Sequence, residues 1–241
     1  MLKIFILLFT LLLTTLVADI NLQPHETKIN KTDKGYLHID DSKDFQIGSS
    51  GVVIHLFDDN HQTIVATITV VDKKDGIAIL KYKNFSGPVQ NALPSYKIAP
   101  KKGDKVILNY LYERALAITP NKKTLNYINE KFDFIDWIHP DIFASKLSIN
   151  YTPKPEKIDF KNECRDDDFA LLFFVIEDRG YFVDCNSFQI LHQTEMEKET
   201  GKITMVPFYN RLKEIKGRMF GVMGGEGIND YNTYYKNLLG I

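Results

Sequence analysis

The densest apolar run in the chain is Phe169-Ala170-Leu171-Leu172-Phe173-Phe174-Val175-Ile176, with no polar position on either face. A strand that is apolar on both faces belongs in the middle of a covered sheet. Glu177-Asp178-Arg179-Gly180 and Asn186-Ser187 read as turns, so the run predicts the first strand of a meander. Its third strand is Phe188 to His192, and Lys202 to Val206 is a candidate fourth.

Upstream, the pattern is that of short strands. Asp19 to Asp41 has little periodicity and reads as an edge or mobile segment. Gly51 to Phe57 is rich in β-branched residues. Between Thr63 and Val71, Ile64, Ala66, Ile68 and Val70 share one face, and Thr67 and Thr69 lie on the other. Asp75-Gly76 marks a hairpin before Ile77 to Tyr82. After a long connection containing Gly87-Pro88 and Pro94, Lys102-Gly103-Asp104 turns into Val106 to Leu111, and Ala115 to Ile118 closes the set. Five short strands with glycine-marked turns predict a small barrel or sandwich, which leaves few edges uncovered.

The period then changes to that of helices. Thr119 is the predicted N-cap, with Pro120 in the first turn and Leu125, Ile128 and Phe132 on the inner face. Pro140 to Leu147 predicts a second short helix, and Trp137 reads as a packing plug between the two. Thr152-Pro153-Lys154-Pro155 is a linker. Near the end, Lys216 to Phe220 predicts a helical turn and Gly221 to Gly227 a loop. Asp230 caps a last helix with Tyr231, Tyr234, Tyr235 and Leu238 on one side, and Gly240 ends it. The expected fold is α+β and mainly β. Residues 19–118 form a barrel-like unit, 119–155 a helical connection and linker, and 156–241 a β-meander with a C-terminal helix.

Residues 1–18 stand apart. Lys3 precedes an apolar stretch from Ile4 to Leu16, and Leu16-Val17-Ala18 suits signal-peptidase cleavage, so the expected mature start is Asp19. No later run reaches transmembrane length. Removing that segment costs one lysine and leaves cations and anions nearly balanced, which argues against nucleic acid as a partner. Two cysteines in an exported chain predict a disulfide between Cys164 and Cys185, worth about 3 kcal/mol by loop closure. Hairpin register alone does not place them opposite each other. Arg165 to Asp168 would have to curl back over the sheet, and two free thiols remain the alternative.

The chain carries no nucleophile elbow, no His-Glu-x-x-His and no phosphate loop. His55, Asp58, Asp59 and His61 could converge on a metal at a hairpin tip, and Asp166-Asp167-Asp168 could meet calcium. Both read more simply as solvated turns. Cys164 or Cys185 could act as a nucleophile only with a base such as His192, and oxidation would silence either. Asn84-Phe85-Ser86 and Asn150-Tyr151-Thr152 match a glycosylation pattern that is common by chance. The lysine pairs Lys73-Lys74, Lys101-Lys102 and Lys122-Lys123 read as solvated turns. No catalytic, cofactor or metal site is expected.

Several blocks together resemble the N-terminal domain family of the bacterial plasminogen-binding protein PgbA. They are Phe45-Gln46-Ile47-Gly48 with Gly51, Leu93-Pro94, Lys102-Gly103-Asp104 and Ile118-Thr119-Pro120-Asn121. Both cysteines fit, with Cys185-Asn186-Ser187-Phe188-Gln189-Ile190-Leu191 the most specific block, followed by Pro207-Phe208, Arg211 and Tyr234-Tyr235. The resemblance implies an exported, non-enzymatic envelope protein. Members named for plasminogen capture look like this domain followed by a Lys/Glu-rich tail, and kringle modules take C-terminal lysines. This chain ends at Ile241, so the expectation is weak plasminogen binding. The principal expectation is a protein-binding or scaffold module of the Gram-negative periplasm, with envelope proteins or its own copies as partners. Flagellar motor disks are one imaginable home. The alternative is a surface-exposed binder of plasminogen.

Overall fold

The computed structural model describes residues 21–58, 61–85, 98–196, 204–212, 215 and 227–241. The expected leader, most of the long connection after β-strand residues 77–84, the 216–220 turn and most of the 221–227 loop lie outside them.

The first sheet has seven strands: β1 (His25–Lys28), β2 (Lys31–Asp33), β3 (Tyr36–Asp40), β4 (Ser50–Asp58), β5 (His61–Lys74), β6 (Ile77–Asn84) and β7 (Lys105–Leu108). Their order is β1-β7-β4-β5-β6-β3-β2, antiparallel throughout. The two outermost strands are consecutive in the chain, separated only by Ile29 and Asn30. The Ile29 N–H bonds to the Asp104 carbonyl, while the Asn30 N–H bonds to the His38 carbonyl. One bent segment thus reaches both ends of the sheet, which curls into a half-barrel. Its inside is filled by Leu37, Ile39, Val53, Ile68, Val70, Leu80, Val106 and Leu108. The Asp75-Gly76 hairpin forms as expected, with both residues at positive φ (53° and 78°). The 19–41 segment holds both edge strands, and also β3, which lies one position in from the edge.

The second sheet contains β8 (Arg114–Ile118), β9 (Asp136–Ile138), β10 (Leu171–Ile176), β11 (Arg179–Asp184) and β12 (Ile190–Glu195), in the order β12-β11-β10-β8-β9. The meander is present, and β10 is the central strand. Leu171, Phe173 and Val175 enter one core; Leu172, Phe174 and Ile176 enter the other. Helix α1 (Lys122–Lys131) covers the first face through Leu125 and Ile128. Helices α2 (Pro140–Ile149), α3 (Lys157–Asp166) and α4 (Tyr231–Leu239) cover the second through Phe143, Phe160 and Tyr235.

Four local expectations are corrected. Ala115 to Ile118 does not close the half-barrel; as β8 it pairs parallel to β10, Leu171 opposite Ala115 and Phe174 opposite Ile118. All four of its residues are fully buried, and only a sheet covered on both faces can accept such a strand. The cap of α1 is Asn121, whose side chain accepts from the Thr124 N–H at 3.0 Å. Thr119 is instead buried, its carbonyl bonded to the Tyr209 N–H. Cys164 lies on a helix rather than in a chain curling over the sheet. A capping box between Glu156 and Asp159 starts that helix, and only Phe160, Glu163 and Cys164 of it are buried. Thr204 to Val206, the described part of the candidate fourth strand, is not in a strand.

Candidate functional site

The two sheets meet along a polar seam built around the turn after β11. Asp184, at the end of that strand, is wholly buried. Its carboxylate accepts from the Tyr112 hydroxyl at 2.8 Å, from the Ser187 N–H at 2.6 Å and from the Ser50 hydroxyl. Tyr112 in turn accepts from the Ser50 N–H at 3.0 Å. Burial pushes the Asp184 carboxyl up, against the donors that hold it down, and burial with the neighbouring Asp184 charge pushes the Tyr112 phenol well up. Around this centre, Ser187 donates to the Gly48 carbonyl at 2.8 Å and Asn186 to the Thr69 hydroxyl at 2.9 Å. Gln46 reaches the Leu191 carbonyl. The blocks 45–51 and 185–191 that carry the family resemblance are therefore the two sides of one contact.

A disulfide between Cys164 and Cys185 secures the same turn from the other side, with Cα atoms 6.2 Å apart. It ties α3 to the end of β11, next to Asp184. The pairing left open by strand register is explained by α3: one helical turn after Phe160, Cys164 faces the sheet.

The residues considered for metals do not converge. His55 Nδ1 lies 2.7 Å from Asp104, while His61 Nδ1 lies 2.7 Å from Asp58 on the hairpin itself; Asp59 is outside the described residues. Asp166 pairs with Arg165, Asp167 with Lys146, and the Asp168 carbonyl accepts from Arg114. Among the described residues no group of three or more His, Cys, Asp or Glu side chains could hold a metal.

The lysine pair at the β5–β6 hairpin splits into two roles. Lys73 folds inward: its ammonium meets Asp41 at 2.7 Å, the carbonyls of Ser42 and Phe45 at 2.6 and 2.7 Å, and sits 4.4 Å above the Phe45 ring. Lys74 points out, exposed between Asp72 and Asp75. Lys101 and Lys102 are also exposed, but the nearby Asp104 is buried and bonded to His55. Sequence reasoning missed the cluster of Glu163, Lys146 and Asp167. Lys146 on α2 binds Glu163 at 3.0 Å and Asp167 at 2.6 Å, and Glu163 is 2% exposed with Oε1 unpartnered. A Glu one position before a core-facing Cys was its only sequence signal.

The geometry is that of a two-sheet module joined by buried polar groups, with Lys74, Lys101 and Lys102 exposed on its surface. The chain belongs to the family described as plasminogen-binding protein pgbA N-terminal, whose model matches residues 24–239. Among similar curated proteins are the plasminogen-binding proteins PgbA of Helicobacter pylori strains J99 and 26695. Each is 24% identical over 197 residues, which cover 81% of this chain and 43% of the relative. The chain thus spans less than half the length of these relatives. No solved structure matches it.

Proposed function

We propose that this chain is an exported, non-enzymatic protein-binding module that engages plasminogen through lysines of its folded surface. The reading is supported first by the family assignment, which extends over nearly the whole of the folded part. It draws secondarily on the names of the Helicobacter relatives. The buried disulfide favours an oxidising compartment, hence the cell surface or periplasm. The family assignment does not support a flagellar-motor home.

The observation that carries the surface reading is Lys74. A lysine-binding module recognises an ammonium with a carboxylate nearby. Lys74 is exposed on a tight turn and flanked by Asp72 and Asp75. Lys73, held by Asp41 and two carbonyls, orders that turn without competing for a ligand. An internal pair imitates a C-terminal lysine imperfectly, so the expected affinity is weaker than about 1 μM, or about −8 kcal/mol.

Surface plasmon resonance with the secreted protein and plasminogen tests this. Expected are weak, saturable binding, its displacement by a free lysine analogue, and a several-fold loss in Lys74→Ala. Binding indifferent to the analogue, or no binding at all, would reject the reading.

A further inference from the structure

The turn after β11 links α3, with Lys157 and Lys161, to the outer face of the half-barrel that carries Lys83. Lys157 and Lys161 are one turn apart on α3 and share a face. The Lys161 ammonium is half-buried and donates to the Asn186 carbonyl at 2.7 Å. The Asn186 side chain then donates to Thr69 on the outer face of β5. On the neighbouring strand β6, Lys83 pairs with Thr67 and Lys81 with Thr69, so Lys83 emerges on that same outer face. The docked turn therefore brings α3 against the barrel where Lys83 stands.

This cluster is not neutralised. No ion pair among the described residues involves Lys83, Lys157 or Lys161. The acid that Lys161 feels is Asp184, and that carboxylate is buried behind the turn with three donors already on it. Burial pushes the Lys161 ammonium down, and the charges of Lys83 and Lys157 push it the same way against the pull of Asp184. The fixed bond to Asn186 prevents Lys161 from swinging away to relieve the repulsion. Lys157 lies 5.2 Å above the Phe188 ring, which positions it on the same side.

We propose that Lys83, Lys157 and Lys161 form a binding site for a phosphate-type oxyanion at the junction of the half-barrel and α3. A tetrahedral dianion offers several acceptor oxygens to separate ammonium groups, and its charge removes their mutual repulsion. The site is distinct from the Lys74 turn and does not depend on the plasminogen reading. The ligand is either a free phosphate or the phosphodiester of an anionic lipid headgroup; both offer anionic phosphoryl oxygens to these ammonium groups, the diester with a single charge.

Calorimetric titration of the full secreted protein with inorganic pyrophosphate, at constant ionic strength, tests the site. Saturable binding is expected, weakened about tenfold or more in the double variant Lys83→Gln/Lys157→Gln. Lys161 stays in place so that its bond to Asn186 is kept, and unchanged thermal unfolding without ligand verifies the fold. The variant Lys102→Gln/Lys122→Gln makes the same change in net charge elsewhere and should bind like the parent. Co-sedimentation with vesicles containing phosphatidylglycerol separates the sources. Vesicle binding displaced by pyrophosphate identifies a headgroup, whereas pyrophosphate binding without vesicle binding identifies a free phosphate. No heat beyond that of matched chloride, or equal loss in both double variants, would overturn the proposal.

Discussion

Tyr112 donates its hydroxyl to the carboxylate of Asp184 at 2.8 Å across the junction of the two sheets, and both side chains are at most 1% exposed. The same phenol oxygen accepts from the Ser50 N–H. Tyr112→Phe would remove a donor from a buried carboxylate and an acceptor from a buried amide with little change in volume. Leaving such groups unsatisfied costs about 1–3 kcal/mol. Urea unfolding of the variant at neutral pH should show a loss in that range. A loss below about 0.5 kcal/mol would mean that the seam is not held by this bond.

The disulfide and the Asp184 network grip the same turn from opposite sides. Cys164→Ser/Cys185→Ser frees α3 from the end of β11 and restores the entropy of the intervening loop to the unfolded chain. The expected cost is roughly 2–5 kcal/mol. Peptide mapping under denaturing, non-reducing conditions should recover the linked pair from protein folded in an oxidising compartment. Two freely alkylated thiols would contradict the linkage.

A fragment of residues 19–150 would keep β8 and β9 but lose β10, which pairs with β8 along Leu171 to Phe174. Leu116 and Ile118, both fully buried in the intact chain, would keep α2 but lose Phe160, Leu172, Phe174 and Tyr235 from the core they share. We expect this fragment to aggregate or to bind a hydrophobic dye strongly. A soluble fragment with a cooperative unfolding transition would show that the half-barrel folds without the second sheet.

The central strand was legible because its signal is local. Six consecutive apolar residues, Leu171 to Ile176, state by themselves that both faces are covered. The Asp75-Gly76 hairpin and the Asp230 cap were legible for the same reason. The sheet to which β8 belongs was not, because its partner β10 lies more than fifty residues on and parallel pairing leaves no turn signature. Helix α3 was hidden by its composition, since Phe160 and Cys164 are the apolar residues that reach the core from a charged segment. Its capping box, Glu156 with Asp159, was the available signal. The seam residues Ser50, Tyr112 and Asp184 are far apart in sequence and ordinary in type, and only the fold joins them.

Glu163 makes stability depend on pH in a direction that can be worked out. Burial first, and hydrogen bonding with Asp167 second, raise its carboxyl from an ordinary 4.5 to about 7, although Lys146 pulls the other way. A raised acid binds its proton more tightly in the folded chain than in the unfolded one. Its contribution is therefore complete below pH 4.5 and is lost as pH rises toward 7. Asp167, which Lys146 and Glu163 pull below its ordinary value against the effect of burial, contributes in the opposite sense at lower pH. Glu163→Gln keeps the shape and removes the titration. Unfolding free energies of the two proteins, measured from pH 4.5 to 7.5, should diverge, with the parent losing up to about 3 kcal/mol relative to the variant as pH rises. A difference that stays flat, or that grows in favour of the parent, would show that Glu163 is charged throughout and compensated by Lys146.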